Sequence, residues 1–401
     1  MLKTVLIYSI LLILFSIHTY ARPHYAARAK SNSCTMCHVS PLGGGLKTVT
    51  GKAFGGRGLK LNQFATQDKF AVDMRGIYYH PKKASSARGG MGLMALNVGA
   101  NLNLTPMAGG DETSDVETRL VATHNIAGFT GIDSHNVYLR FKMREDYEAS
   151  WKPQYIMLGR FQRPFGLMTD EHRTYTKMMT KSEWYTQETG VVFSANPYST
   201  LHYDLGIING IATEANFDKG NAIEWGGSLN ARWTPISLPI VLGASYSQHS
   251  FDKNSTTDRD QPVAGSVYSV VLLDPILFDL TTGSIQLEYS EAKYWNPEVL
   301  PKIFEGSSPS EFAKSRSEGW FGLTTINVNP TTELQYKYDR FLPDREFRGS
   351  YIERHGFGIK HYFSSSINVQ LRYENANNAI KNINSKYADD DAFYAVLRVS
   401  L

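Results

Sequence analysis

Cysteine is nearly absent: the 401 residues contain two, Cys34 and Cys37. So few thiols exclude a disulfide-rich scaffold and leave no second Cys pair for a structural zinc site. Long apolar runs are equally scarce. Only Val5 to Ile17 is almost continuously hydrophobic, broken by Tyr8, Ser9 and Ser16. That run is about 13 residues, against the roughly 20 that a spanning helix needs. With Lys3 before it and the small residues Thr19 and Ala21 behind it, the run reads as a secretory signal peptide over residues 1–21, cut after Ala21. Helical patterning is nearly missing after residue 90. No Ser-His-Asp set, paired-carboxylate motif, phosphate-binding loop or nucleic-acid signature stands out, and the formal net charge is only +3.

Both thiols fall within five residues, Cys34-Thr35-Met36-Cys37-His38. A disulfide is chemically allowed in an exported chain. Covalent haem attachment uses all that is present: two thiols to add across the two vinyl groups and an adjacent imidazole to ligate the iron. On that reading Cys34 and Cys37 hold one haem c and His38 is an axial ligand. The sixth ligand is open; His24, Met36, Met74, His80 and Met91 are near in sequence, and none has diagnostic spacing.

Pro41 and Gly43 to Gly45 break any helix soon after His38. From Arg22 to Phe70 the chain carries Arg22, Arg28, Lys30, Lys47, Lys52, Arg57, Lys60 and Lys69 against the single acid Asp68. A segment of about 50 residues with few large apolar side chains buries little core by itself, so it must lean on the rest of the chain.

That remainder is rich in Tyr, Phe and Gly and alternates with period two. Ile367, Val369, Leu371 and Tyr373 share one face, opposite Asn368, Gln370, Arg372 and Glu374. Val137, Leu139, Phe141 and Met143 oppose Tyr138, Arg140, Lys142 and Arg144. Sixteen strand-like segments can be marked between residues 69 and 401, many of them ten or more residues long, as tilted transmembrane strands are. Short joints such as 329–332 contrast with long polar ones such as 251–262, 296–315 and 377–391. The predicted fold is all-β, a transmembrane antiparallel barrel of about 16 strands over residues 69–401, behind a short c-type haem segment at 22–68. Arg140, Lys142, Arg144, Lys337, Arg372 and Glu374 should then face an aqueous lumen, and Trp151, Trp233, Trp295 and Trp320 should sit in interfacial girdles. Asp170 and Glu171 beside His172 could bind a metal, but the pattern reads first as solvated charge in a loop.

The stretch RPHYAARAKSNSCTMCHVSPLGGG (22–45) followed by a barrel resembles the fused cytochrome-porins of the bacterial outer membrane, including those implicated in iron oxidation. LGRFQRPFGL (158–167) is similar to a strand and turn in porins of the phosphate-selective type. The first resemblance implies haem on Cys34 and Cys37 with His38 as axial ligand, lodged at or inside the barrel. It implies location in the outer membrane of a Gram-negative bacterium, within the lipid bilayer, and partners in a periplasmic electron carrier and an extracellular electron donor or acceptor. The expected function is electron transfer across that membrane rather than transformation of a substrate. The competing expectation is a diffusion porin whose N-terminal segment is a plug or cap, with haem structural or absent. A third is a periplasmic redox sensor with a soluble β domain. A basic segment folded into the barrel mouth would pair with lumenal acids, for which Glu288 and Glu374 are candidates.

Overall fold

A computed structural model of the chain describes residues 69–81, 90–105, 117–127, 132–143, 149–169, 171, 174–180, 182, 186–209, 225–235, 238–249, 263–273, 282–293, 316–345, 351–364, 366–378 and 391–400. Cys34, Cys37, His38 and the whole of 1–68 lie outside the described residues, as do Arg144, Asp170, His172 and Trp295.

The strands are β1 (Phe70–Pro81), β2 (Gly90–Asn103), β3 (Glu117–Ala127), β4 (Ile132–Lys142), β5 (Tyr155–Gln162), β6 (Gln187–Tyr198), β7 (Leu201–Asn209), β8 (Trp225–Trp233), β9 (Ile240–His249), β10 (Val263–Leu272), β11 (Gly283–Lys293), β12 (Arg316–Asn329), β13 (Thr332–Leu342), β14 (Ile352–Tyr362), β15 (Ile367–Asn378) and β16 (Ala392–Ser400). Each pairs antiparallel with its sequence neighbours, and β16 closes on β1 in the register Asp73↔Ser400 to Pro81↔Ala392. Closure leaves no unpaired sheet edge, the condition a β structure must meet in hydrocarbon. The seam is also pinned by side chains. Asp73 accepts from Arg398 Nε at 2.6 Å, Ser400 Oγ at 2.8 Å and Arg75 Nε at 3.0 Å.

The alternation has inverted polarity. Val137, Leu158, Val267 and Leu287 are 48, 49, 55 and 50 % exposed on the outer face, whereas Lys337, Arg372 and Glu374 are each 1 % exposed on the inner one. A soluble barrel would bury its apolar face; this one offers it to its surroundings, which identifies hydrocarbon as its outer solvent. Among the described residues no helix is long and apolar enough to cross a membrane, so the crossing is by strands. Arg140, Lys142, Lys337, Arg372 and Glu374 face inward as the sequence pattern requires.

Short turns at 199–200 and 330–331 lie at one end of the barrel, the end at which the chain enters β1. Exposed aromatics ring that end: Phe70, Trp151, Tyr198, Trp233 and Phe363. Trp151 meets Tyr198 edge-on at 5.9 Å and accepts a hydrogen bond on its carbonyl from Tyr203. Trp320 is exposed toward the other end, its ring 4.6 Å from that of Tyr289 and tilted 48° to it. Amphipathic rings at both ends of an apolar band mark its two interfaces.

Candidate functional site: the lumen and its inward segment

Between β5 and β6 the described residues turn into the barrel. This segment begins Arg163-Pro164-Phe165-Gly166-Leu167, and Phe165 and Leu167 are fully buried. It then runs through Glu171 to a single helical turn, α1 (Tyr175–Met179), and returns at Ser182. Solvated connections do not bury such side chains; here they face the lumen wall. Phe165, Tyr175 and Met179 form a core with Ala264, Ala292, Phe341 and Ile352. Leu167 joins Val241, Tyr268, Val270, Leu272, Phe321 and Leu323. The segment thus packs against the lumen wall from β9 to β14.

Polar anchors fix the segment at three places. At its neck, Arg163 Nη1 lies 3.3 Å from Glu188 Oε1 and 3.1 Å from His249 Nε2, Nη2 donates to the Thr180 carbonyl, and Gln162 Nε2 donates to the Ser182 carbonyl at 3.0 Å. In the middle, Glu288 gathers Lys177 Nζ at 3.1 Å, the Leu167 amide at 3.1 Å, Ser266 Oγ at 2.8 Å and Thr176 Oγ1 at 3.4 Å. Lys177 also donates to the Phe165 carbonyl, and the Gly166 amide donates to Ser245 Oγ at 2.8 Å. Gly166 has φ +64°, and a Cβ there would stand 2.0 Å from Glu288 Oε1 and 2.6 Å from Lys177 Nζ. Only glycine fits both the backbone conformation and the contact.

At the far side, Arg372 donates to both oxygens of Glu171, at 2.6 and 2.9 Å. Lys337 Nζ lies 3.8 Å from the same carboxylate and 3.0 Å from Asp339. Asp339 also receives Arg354 at 2.8 Å and the Tyr175 amide at 3.3 Å, and the Arg354 guanidinium lies 4.8 Å over the Tyr175 ring. Burial alone would raise the Glu171 pKa. The Arg372 guanidinium, with Lys337 behind it, outweighs burial and holds the carboxyl at about 2. Buried charges persist only when paired and hydrogen-bonded, and these are.

The sequence therefore misread Glu171: it is not a solvated loop carboxylate but the segment's tie to β13 and β15. Glu288 and Glu374, expected to receive a basic N-terminal segment, are engaged already, Glu288 by Lys177 and Glu374 by Tyr394 and Arg354. Met74, His80 and Met91, considered as sixth haem ligands, are exposed on the outer face. No haem inside the barrel could use them.

The wall from β1 to β7 differs. Its inward side chains Ala71, Val121, Tyr138, Met157, Phe161, Val192 and Ile208 form a buried apolar cluster. Toward the short-turn end this wall is basic. Arg75 and Arg398 face each other across the seam, and Arg119 stands opposite Arg140 with Lys142 two residues on, against the acids Asp73 and Glu117. A third polar group lies on β6 and β7: His202 bridges Asn196 at 2.7 Å and Asp204 at 2.9 Å, and Asp204 also accepts from Ser194.

No family model and no curated protein matches the chain. Solved structures do. Salmonella typhi OmpF, in complex with daunomycin, superimposes with a TM-score of 0.60 at 11 % identity, over 83 % of this chain and 97 % of that one. Pseudomonas putida OprB gives 0.56 at 10 % identity, over 83 and 94 %. The outer membrane channel DcaP of Acinetobacter baumannii gives 0.54 at 9 %, over 83 and 96 %. At such identities the likeness is one of fold: a porin-like barrel of 16 antiparallel strands.

Proposed function

We propose that the protein is a diffusion channel of the Gram-negative outer membrane, its lumen narrowed by residues 163–182 and its N-terminal residues 22–68 serving as a plug or cap. The observation that carries this reading is the packed inward segment. It packs against the β9–β14 side of a charged lumen and leaves the β1–β7 side to a passage or an occupant. A protein that used its barrel only as an anchor would have no need of a lumen sorted in this way. The porin-like fold supports the same reading.

The plug is supported by the buried apolar cluster on β1 to β7. Seven inward apolar side chains are an unfavourable lining for a water-filled pore. The chain enters β1 one residue before Ala71, a member of that cluster. Leu42, Leu46, Phe54, Leu59, Leu61 and Phe64 are among the apolar residues that 22–68 can bring to it. Liposome swelling tests the channel. Vesicles carrying the protein should admit small sugars and salts faster than empty ones; equal rates would remove the reading.

A second reading rests on Cys34, Cys37 and His38. Two thiols and an imidazole at this spacing suit a covalently bound haem, with Cys34 and Cys37 in the thioethers and His38 on the iron. Such a haem would supply one-electron transfer between a periplasmic carrier and an external donor or acceptor such as iron. The barrel's part would be to insulate the group and exclude water from it. Haem staining of a denaturing gel, after expression with haem-maturation machinery, separates the two readings. A stained band at 45.0 kDa or slightly below supports the second, and an unstained one leaves the channel alone.

A further inference from the structure

His124 on β3 and His135 on β4 are directly opposed in the antiparallel register. Their rings stack with centroids 4.8 Å apart and planes 19° from parallel, and one Nδ1 donates a hydrogen bond to the other across 2.8 Å. They lie on the outer face, on the side of the strands from which Val137 projects. His124 is about three residues from the end of β3 that leads into β4, away from the short-turn end, and as near its strand end as Trp320 is to the start of β12; the pair therefore sits at the interface, where water reaches it, and not against the middle of the hydrocarbon. The neighbouring rung points inward and is closed on itself by Asn136 Nδ2 donating to Thr123 Oγ1 at 2.9 Å.

Two imidazoles held on rigid strands with converging nitrogens cost little to order around a metal, because the backbone has already fixed them. The spacing selects among metals. With metal–nitrogen bonds of about 2.0–2.1 Å, a 2.8 Å separation subtends about 85–90° at the metal. That is the angle between adjacent ligands in a tetragonal or octahedral centre, whereas a tetrahedral centre needs nitrogens about 3.3–3.4 Å apart. We propose that His124 and His135 form a surface site for a divalent transition metal of tetragonal preference, copper(II) or nickel(II), with water completing its coordination.

To ligate, each imidazole must present an unprotonated Nδ1, so the metal takes the place of the proton the two rings share. A metal there staples β3 to β4 in the folded state alone, so it raises the stability of the barrel. The site is independent of whether the lumen conducts or the chain carries haem.

The test uses the full-length protein in detergent and Cu²⁺ alone as the probe. The wild type, His124→Gln, His135→Gln, the double variant and a His355→Gln control are titrated at pH 7.5. Bound copper is counted, and its nitrogen couplings are read by electron paramagnetic resonance. The expected result is that the double variant binds one equivalent less than wild type and each single variant loses one nitrogen coupling, while His355→Gln changes neither. Cu²⁺ should also raise the temperature of the heat-modified gel shift for wild type and His355→Gln, and not for the double variant. Equal copper stoichiometry and couplings in wild type and double variant would overturn the proposal. So would a loss of one equivalent accompanied by loss of heat-modifiability, since the missing site would then reflect misfolding.

Discussion

Replacing Glu171 by Gln keeps the side chain's size and removes its charge. Arg372 then loses the carboxylate that accepts two of its hydrogen bonds, at 2.6 and 2.9 Å, and Lys337 loses one of its acidic neighbours. Breaking a buried pair by removing one partner costs about 3–5 kcal/mol. The Glu171 side chain is 15 % exposed, and Glu374 stays within 4.0 Å of Arg372 to absorb part of the charge. A cost of about 2–3 kcal/mol is therefore reasonable, and it falls on the seating of the segment rather than on the barrel. At 1.4 kcal/mol per factor of ten, the unseated population rises about 30- to 150-fold. Hydrogen exchange of the full chain in detergent reads this directly, since exchange through local opening scales with that population. Amides of 163–182, including Leu167 and Tyr175, should exchange about 30- to 150-fold faster in Glu171→Gln, with strand amides unchanged. Unchanged exchange in that peptide would refute the claim that the ion pair seats the segment.

Gly166→Ala should loosen the same segment through its middle anchor. The left-handed backbone alone adds about 1–2 kcal/mol, and the new Cβ displaces Glu288 or Lys177; exchange at 163–182 should rise while heat-modifiability is retained. The Glu171 carboxyl is held at about 2, below its ordinary 4.5, so its charged form contributes stability above pH 4.5 that is lost as pH falls through about 2. Segment exchange, corrected for its intrinsic pH dependence, should therefore be flat from pH 7 to 5 and rise only in stronger acid; a rise between pH 7 and 5 would contradict the pairing. The basic wall of Arg75, Arg119, Arg140, Lys142 and Arg398 should make the open lumen prefer anions. Arg140→Gln should lower the chloride-to-potassium permeability ratio measured from reversal potentials, more at low salt than at high. On the haem reading, Cys34→Ala with Cys37→Ala should abolish covalent haem staining without changing heat-modifiability, and a persistent stain would exclude the thioether assignment.

The barrel was legible in the sequence because period two is a local property. The alternation at 367–374 and 137–143 states which side chains share a face, and hydrocarbon outside with charge inside then follows. The pattern places sixteen strands and the described residues hold sixteen; the shifts are at strand ends, as in β4, where the alternation read from Val137 to Arg144 belongs to a strand running from Ile132 to Lys142. The inward segment was not legible in that way, since its partners lie 100 to 200 residues away: Glu171 with Arg372, Lys177 with Glu288. A local signal was present nonetheless. Phe165, Leu167, Tyr175, Met178 and Met179 are too many apolar residues for a connection exposed to water. The apolar cluster on β1 to β7 escaped notice for the opposite reason, since Val121, Met157, Val192 and Ile208 sit in strands where apolar residues are expected on one face or the other. Register alone reveals that theirs is the inner face.

The central claim is a channel whose lumen 22–68 obstructs. Single-channel conductance in planar bilayers tests it most directly, with the full-length protein set beside a chain lacking residues 22–68. The account predicts small or infrequent conductance for the full chain and a larger, steady, anion-preferring conductance once the segment is gone. Equal conductance in the two would show that 22–68 is no plug, and no conductance in either would contradict the channel itself.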